Sequence, residues 1–213
     1  MKRMFITGTD TNCGKTYATC RILELLKNNN YTCMGLKPIA SGCIKRNGRL
    51  SHADIEQLQK INNIKAEICA WKFQEAIAPH LAAAANNQTI SAAAVADFCW
   101  QSHFYADYLL IEGAGGVMVP LNQHETWLDF LKITKIPVIL IVGLRLGCIN
   151  HAFLAERILQ QENIACIGWI ANCLDPAMLA LSDTIDTLQE RMTMPLLTTI
   201  GYTGSVMQLL KIF

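Results

Sequence analysis

A glycine-bounded loop near the start of the chain has the composition of a phosphate-binding site. Residues 4–16 join a short apolar run to a loop that ends in Gly14, Lys15 and Thr16. In such a loop the backbone N–H groups hold a polyphosphate, the lysine ammonium binds its outer oxygens, and the threonine hydroxyl can ligate Mg²⁺. A helix that begins at Thr16 would direct the positive end of its dipole at the same anion. Five residues separate Gly8 from Gly14, one more than in the usual motif, so the loop needs support from other parts of the chain.

Charged side chains follow two further apolar segments. Lys37 precedes Pro38 at the end of one segment, and Glu112 ends another and is followed by a glycine-rich run at 113–116. A carboxylate after a buried strand is the position in which phosphate-loop enzymes bind a metal ion. Asp54 lies near the start of a helical pattern and is a second candidate ligand. The alternatives are a solvated surface lysine at 37, a helix cap or first-turn acid at 54 and a plain glycine turn after 112.

Two more segments end in polar residues. The loop at 143–151 leads into a helical pattern and is therefore another candidate anion site. Asn172 and Cys173 end a later apolar segment. An asparagine side chain offers one donor and one acceptor edge, which matches the edge of adenine.

Composition limits the classes of protein to consider. The chain has 213 residues, 52% of them apolar and 16% charged, with a net charge of +1. A nucleic-acid partner is not expected, because binding to a phosphate backbone needs clustered basic residues. Nine cysteines without Cys-x-x-Cys spacing favour a reducing cytoplasm. We expect neither a signal peptide nor a membrane partner, because the chain enters a strand at once and its longest strongly apolar run covers only 138–142.

Apolar segments and helical patterns alternate along the chain. Strands are predicted at 4–7, 33–37, 108–112, 138–142 and 167–171, and helices at 15–27, 54–61, 91–103, 127–133, 149–161 and 178–192. Alanine-rich stretches at 81–85 and 92–96 also fit close-packed helices. This order predicts one α/β domain over residues 1–213, with an open, mostly parallel sheet between helices. Ligands in that architecture bind beyond the carboxyl ends of the strands, where the charged residues fall.

Together these segments resemble one family, the dethiobiotin synthetases of biotin biosynthesis. The similar stretches are Thr7-Gly8-Thr9-Asp10-Thr11, Gly14-Lys15-Thr16, Lys37-Pro38, Ser41-Gly42, Ala78-Pro79-His80, Glu112-Gly113-Ala114-Gly115-Gly116, Gly143, and Leu146-Gly147-Cys148-Ile149-Asn150-His151. They occur in order over most of the chain, and the long first loop is usual in this family.

The resemblance implies a homodimeric enzyme that joins 7,8-diaminononanoate and CO₂ with MgATP, giving dethiobiotin, ADP and phosphate. The implied catalytic residues are Lys15 and Lys37, and the implied Mg²⁺ ligands are Thr16, Asp54 and Glu112. Implied ATP-binding residues are Asn12, Cys13, Gly14, Lys15, Thr16, Tyr17, Asp54, Glu112, Gly113, Ala114, Gly115, Asn172 and Cys173. Implied substrate-binding residues are Ser41, Gly115, Gly116, Val117, Leu146, Gly147, Cys148, Ile149 and Asn150, the last five reaching the substrate of the other subunit.

Two features depart from the family pattern. Cys173 stands where an aspartate is common, and the loop that usually contacts the base is Gly201-Tyr202-Thr203 here, followed by a short tail. We therefore expect a relaxed preference for adenine. The main rival is a nucleotide-switch ATPase of the ParA or MinD type, which usually has an extra lysine where this chain has Thr9. In that reading residues 206–213 would form a membrane-binding helix. A glutamine-dependent amidoligase would need another domain, and a structural nucleotide-binding subunit would leave Lys37, Ser41 and Glu112 unexplained.

Overall fold

The fold was analysed in a computed structural model, which describes residues 1–46, 48–64, 66–101 and 104–202. Its centre is a six-stranded sheet in the order β10-β9-β8-β1-β7-β2, in which all neighbours run parallel. The strands are β1 Lys2–Gly8, β2 Cys33–Leu36, β7 Tyr108–Gly116, β8 Val138–Leu144, β9 Cys166–Cys173 and β10 Leu196–Ile200. The α/β class and the parallel sheet predicted from the sequence are thus confirmed.

Helices connect these strands. They are α1 Lys15–Asn28, α2 Ala53–Asn62, α3 Pro79–Ala85, α4 Ala92–Cys99, α5 Trp127–Thr134, α6 Cys148–Gln161 and α7 Leu181–Arg191. Two short pairs of strands lie outside the main sheet, β3 Ile39–Ala40 with β6 Trp71–Lys72 and β4 Ile44–Arg46 with β5 Arg49–Ser51. Among the described residues no helix combines the length and the apolarity needed to cross a bilayer.

Strand β8 shows why the apolar segments read as continuous runs. All seven of its residues are buried. Leu140 and Val142 pack with residues of α6 and α7, whereas Ile139 and Ile141 belong to the larger core on the other side. Successive side chains of a strand point to opposite faces, so both faces of this strand are covered by packed side chains.

Several element boundaries differ from the predicted ones. β7 continues through Gly116, which pairs with Gly8 at the end of β1 across a register shift, and Gly115 within that shift is left-handed with φ 69°. β10 was not predicted, since Thr198 and Thr199 interrupt its apolar pattern. The helix predicted from 178 begins only at Leu181, after Ala180 in a left-handed conformation. Ser91 caps α4 rather than belonging to it.

Some predicted features cannot be compared with the fold. The end of the helix predicted over 91–103 includes residues 102 and 103, which lie outside the described residues. The same holds for Thr203 in the altered base loop and for the tail, including the membrane-binding helix considered at 206–213.

Candidate active site

The phosphate loop, residues 8–16, is held by close contacts with β8 and β9. Gly14 has φ 87°, and a Cβ there would lie 2.0 Å from Asn172 Nδ2. That Nδ2 donates a hydrogen bond of 2.9 Å to the carbonyl of Cys13. Only glycine satisfies both the left-handed backbone and the close approach. The first turn of α1 receives no side-chain cap among the described residues, so its amides can face an anion.

Lys15 lies inside this loop and is buried. Its ammonium donates to the backbone carbonyl of Asp10 at 2.8 Å and lies 3.8 Å from the sulfur of Cys13. Burial raises the pKa of the Cys13 thiol, although the charge of Lys15 opposes that shift. Cys13 therefore acts as a small, neutral, buried side chain within the loop.

Lys37 forms the most tightly packed charge cluster of the site. It follows the last residue of β2, and its Nζ lies 2.6 Å from Glu112 Oε1 and 2.8 Å from Asp54 Oδ2. The hydroxyl of Thr16 donates to the same Glu112 oxygen at 2.7 Å. Glu112 is fully buried, and its Oε2 has no hydrogen-bond partner among the described residues. Two predicted residues, Lys37 and Thr16, thus meet at one oxygen of Glu112, and Asp54 joins the cluster through Lys37.

The pKa shifts of this cluster follow from burial and mutual attraction. Burial alone would lower the pKa of Lys37, but the charges of Glu112 and Asp54 and their hydrogen bonds outweigh it and raise the pKa. Burial would raise the pKa of Asp54, but the attraction of Lys37 lowers it. Lys37 is therefore an ammonium and Asp54 a carboxylate at neutral pH.

These residues line a cavity of about 900 Å³. The predicted site residues that line it are Asn12, Gly14, Lys15, Thr16, Tyr17, Lys37, Ser41, Asp54, Glu112, Ala114 and Gly115. The Oγ of Ser41 is buried and has no hydrogen-bond partner among the described residues. A buried hydroxyl without a partner is costly unless something else satisfies it, which marks this part of the cavity as a place for a polar ligand group.

Other predicted residues lie outside the cavity lining. Cys13, Gly113, Gly116, Val117, Asn172 and Cys173 are not part of it. A Cβ at Gly113 would lie 2.6 Å from Phe5 Cζ, so this glycine makes room for a core ring rather than for a ligand. Asn172 directs its amide to the phosphate loop. The Nδ2 atom of Asn172 is thus engaged with Cys13 and does not offer a free donor to adenine.

The start of α6 is also separate from this lining. Leu146, Gly147, Cys148, Ile149 and Asn150 do not line the cavity, and Leu146 is fully exposed. Gly147 precedes the helix with φ 91°, without a side-chain cap among the described residues. Arg145, next to this segment, forms an ion pair with Asp10 of the phosphate loop, so the two loops are in contact.

Several lining residues were not predicted as site residues. The missed group is Thr11, Ile39, Ala40, Gly42, His52, Gln57, Ala76, Ile77, Ala78, Pro79 and Val119. Most are apolar, and four of them, Thr11, Gly42, Ala78 and Pro79, belonged to the stretches that resemble the family. His52 caps α2 by accepting the N–H of Asp54 on Nδ1 at 3.2 Å. A Ser-His-x-Asp segment before a helix could have indicated that cap.

The donor set is suited to a hard cation shared with a polyphosphate. Among the described residues no group of three or more histidine, cysteine, aspartate and glutamate side chains could hold a metal alone. Asp54, Glu112 and Thr16 offer two carboxylates and a hydroxyl, and one carboxylate oxygen has no partner. Mg²⁺ usually takes one or two carboxylates and completes its shell with phosphate oxygens and water. The residues therefore fit Mg²⁺ bound together with a nucleotide.

Comparison with known proteins defines the class first. A family model described as an AAA domain matches residues 2–208. The cell division protein FtsY of Thermotoga maritima has a similar fold, with a TM-score of 0.55 at 15% identity; the match covers 99% of this chain and 65% of FtsY. The signal recognition particle receptor FtsY of Elizabethkingia anophelis gives 0.52 at 14% identity, covering 99% and 62%. The chain has a P-loop NTPase fold.

Curated relatives then identify the family. The ATP-dependent dethiobiotin synthetase BioD of Legionella pneumophila (strain Paris) is 46% identical over 208 residues, which are 97% of this chain and 96% of the relative. The enzymes of the same name from Cellvibrio japonicus and Yersinia pestis bv. Antiqua (strain Angola) are 39% and 36% identical, covering 92% and 96% of this chain and 87% of each relative. The chain belongs to the family of ATP-dependent dethiobiotin synthetases.

Proposed function

We propose that this chain closes the cyclic urea of dethiobiotin from 7,8-diaminononanoate, CO₂ and ATP. The observation that carries the proposal is that Lys15, Lys37, Ser41, Asp54 and Glu112 line one and the same cavity. A nucleotide switch needs the phosphate loop, but it has no evident use for a second buried lysine and an unsatisfied serine hydroxyl beside it.

The proposed reaction has three steps. An amine of the substrate adds to CO₂, forming an N–C bond and losing a proton, to give a carbamate. A carbamate oxygen then attacks the γ-phosphorus as the bond to ADP breaks, which forms a carbamic-phosphoric anhydride. The second amine attacks the carbamate carbon to form the second N–C bond and close the ring, the C–O bond breaks to expel phosphate, and the proton lost by the amine leaves with the phosphate.

The chain's contribution to these steps is placement and charge balance, as expected for phosphoryl transfer. Lys15 and Lys37 would neutralise the carbamate and the γ-phosphoryl oxygens, and Ser41 would donate its buried hydroxyl to the carbamate end. Because its pKa is raised, Lys37 acts as a fixed positive charge and not as a base. Thr16, Asp54 and Glu112 would hold Mg²⁺, which supplies further charge neutralisation when bound.

The remaining cavity wall suits the rest of the substrate. Ile39, Ala40, Ala76, Ala78 and Val119 present apolar surface beside the charged cluster. An aliphatic diamine chain would bury its methylene groups there. Amides near Gly115, with Gly116 and Val117 behind it, would lie at the polar end of that chain.

Nucleotide binding would use the loop residues Asn12, Gly14 and Tyr17 together with Ala114 and Gly115. Cys13, Gly113, Asn172 and Cys173 would act from behind the lining, by fixing the backbone that faces the phosphates. Because the amide of Asn172 is engaged with the loop, we propose weak discrimination among nucleotide bases.

The proposed assembly is a homodimer of single-domain chains in the cytoplasm. The start of α6 and the residues before it, Leu146 to Asn150, would receive the tail carboxylate of the substrate bound to the other subunit, because uncapped amides at a helix start favour an anion. The cytoplasm is proposed from the nine cysteines, which are free thiols in the fold.

A phosphate-release assay tests this function. The enzyme is given MgATP, diaminononanoate and bicarbonate, and each component is omitted in turn. We expect phosphate release only when all are present, together with a cyclic urea product detectable by mass. Phosphate release that is unaffected by omitting the diamine would refute the proposal and favour a switch ATPase.

A further inference from the structure

The ammonium of Lys37 lies where the two acidic side chains of the site converge. It contacts Glu112 Oε1 at 2.6 Å and Asp54 Oδ2 at 2.8 Å. These are the carboxylates proposed to bind Mg²⁺, so this inference rests on that part of the proposed function. Glu112 is fully buried, and the Lys37 side chain is only 7% exposed.

Two acids so placed need a cation between them. A buried carboxylate beside a like charge is strongly disfavoured in its ionised form unless a positive group compensates it. Lys37 supplies this compensation from within the chain, and the hydroxyl of Thr16 adds one hydrogen bond to Glu112. Each acid thereby has a positive partner in the absence of any bound ion.

A divalent cation would compete for the same position. An ion bound to both Oε1 of Glu112 and Oδ2 of Asp54 would need the space that Nζ of Lys37 fills. Two cations at such a short distance would also repel each other. Lys37 also lines the 900 Å³ cavity next to Ser41 and Gly42, so its ammonium has free volume to enter.

We propose that Lys37 is the internal counter-ion of the Asp54–Glu112 pair and that a divalent cation exchanges with its ammonium. Binding of the ion then releases Lys37 toward the cavity, where it meets the carbamate. Metal loading and the placement of the catalytic lysine become one coupled event. Without a nucleotide, the free-energy cost of displacing Lys37 keeps the affinity of the site for the ion low. The phosphate oxygens of a nucleotide add ligands to the ion and favour the exchange.

Binding of Mn²⁺ in the absence of nucleotide tests the exchange, with the free ion followed by electron paramagnetic resonance. We expect Lys37→Gln to bind Mn²⁺ roughly tenfold to a hundredfold more tightly than the wild type, the range expected from removing one competing charge. Lys37→Arg, which keeps a cation, should remain close to the wild type. Lys15→Gln removes a charge from the same cavity without touching either acid, and Lys72→Gln breaks a lysine–glutamate pair elsewhere; neither should gain affinity.

Equal Mn²⁺ affinity of Lys37→Gln and the wild type would overturn the proposal, as would an equal gain in Lys15→Gln. If Lys37→Gln is unfolded in metal-free buffer, the variant is refolded with and without Mn²⁺. Folded protein obtained only with Mn²⁺ supports the exchange, and no folded protein under either condition overturns it.

A second measurement uses the wild type. The ¹⁵N resonance of the Lys37 ammonium, assigned by its loss in Lys37→Arg, should shift when Mg²⁺ and a non-hydrolysable ATP analogue are added. An unchanged resonance at saturation contradicts the exchange. No dethiobiotin is formed in either experiment, so a failure of the proposed reaction would be seen separately, in the phosphate-release assay.

Discussion

Glu112→Gln tests whether the buried charge cluster stabilises the fold. Glutamine keeps the size of the side chain and an acceptor for the Thr16 hydroxyl, so the substitution mainly removes a charge. Among the described residues, Lys37 then keeps only Asp54, at 2.8 Å, as an ionic partner.

The expected magnitude follows from the two contacts of Lys37. Removing one partner of a buried ion pair costs roughly 3–5 kcal/mol. Because Asp54 remains and is partly exposed, we expect about half of that, a loss of roughly 2 kcal/mol in the free energy of unfolding. With a urea m value of about 3 kcal/mol/M, the midpoint would fall by about 0.7 M.

Urea unfolding without metal or nucleotide measures this loss, followed by the fluorescence of the buried Trp127 and Trp169. Glu24→Gln is the matched control, because it breaks the exposed pair with Arg21 at 2.8 Å and should cost less than about 1 kcal/mol. A Glu112→Gln midpoint equal to that of the wild type, or no lower than that of the control, would refute the reasoning.

Four other outcomes are expected. Lys37→Ala should nearly abolish turnover while ATP binding, measured by calorimetry, survives; unchanged turnover removes Lys37 from the mechanism. Asn172→Ala should cost about 1–3 kcal/mol in urea unfolding and raise the KM for ATP, because it leaves the buried carbonyl of Cys13 without its donor; an unchanged KM would contradict this. Initial rates with CTP and GTP should approach the rate with ATP, and a strong ATP preference would disprove the relaxed selectivity. The difference in the free energy of unfolding between the wild type and Lys37→Gln should decrease as the pH falls below 3.8 and again as the pH rises above 10.5. A difference that stays constant with pH would contradict the pKa shifts of Asp54 and Lys37.

The signs of the pH effect come from the two shifted groups. The pKa of Asp54 is lowered in the fold, so its contribution is present above 3.8 and is lost as the pH falls through the lowered value. The pKa of Lys37 is raised, so its contribution is present below 10.5 and is lost as the pH rises through the raised value. Between these limits the pair contributes a constant amount.

The sequence was sufficient to predict those elements whose residues are buried on both faces. The segment at 138–142 is continuous and apolar, and it lies within β8. β10 was not predicted, because its two threonines interrupt the apolar pattern of a buried strand. The strand forms because it pairs with its neighbour β9. A turn was one alternative for the glycines after Glu112, yet β7 continues through them, since Gly116 pairs with Gly8 of β1 beyond a bulge that contains the left-handed Gly115.

Charge in the sequence identified candidate residues that the structure brings together, whereas the residues that shape the cavity gave no such signal. Lys15, Lys37, Asp54 and Glu112 could be found as charged residues after strands or in a loop, and all line one cavity. The apolar wall from Ile39 to Pro79 could not be separated from ordinary core residues by composition. The contact between Asn172 and the phosphate loop depends on two positions 159 residues apart, and no local pattern reports it.

The sheet order explains why these charges meet. β7 lies between β1 and β2, and Ile6 of β1 is level with Glu112 of β7. Because all three strands run parallel, their carboxyl ends share one edge of the sheet. Thr16 follows β1, Lys37 follows β2, and Glu112 stands between them on β7. The hydrogen bonds to Oε1 of Glu112 therefore join the segments that follow the two strands flanking β7. The site therefore depends on the position of one strand. A substitution that shifts β7 against β1 should disturb catalysis although it changes no charged residue. Gly113→Ala is such a substitution, because its Cβ would clash with the ring of Phe5.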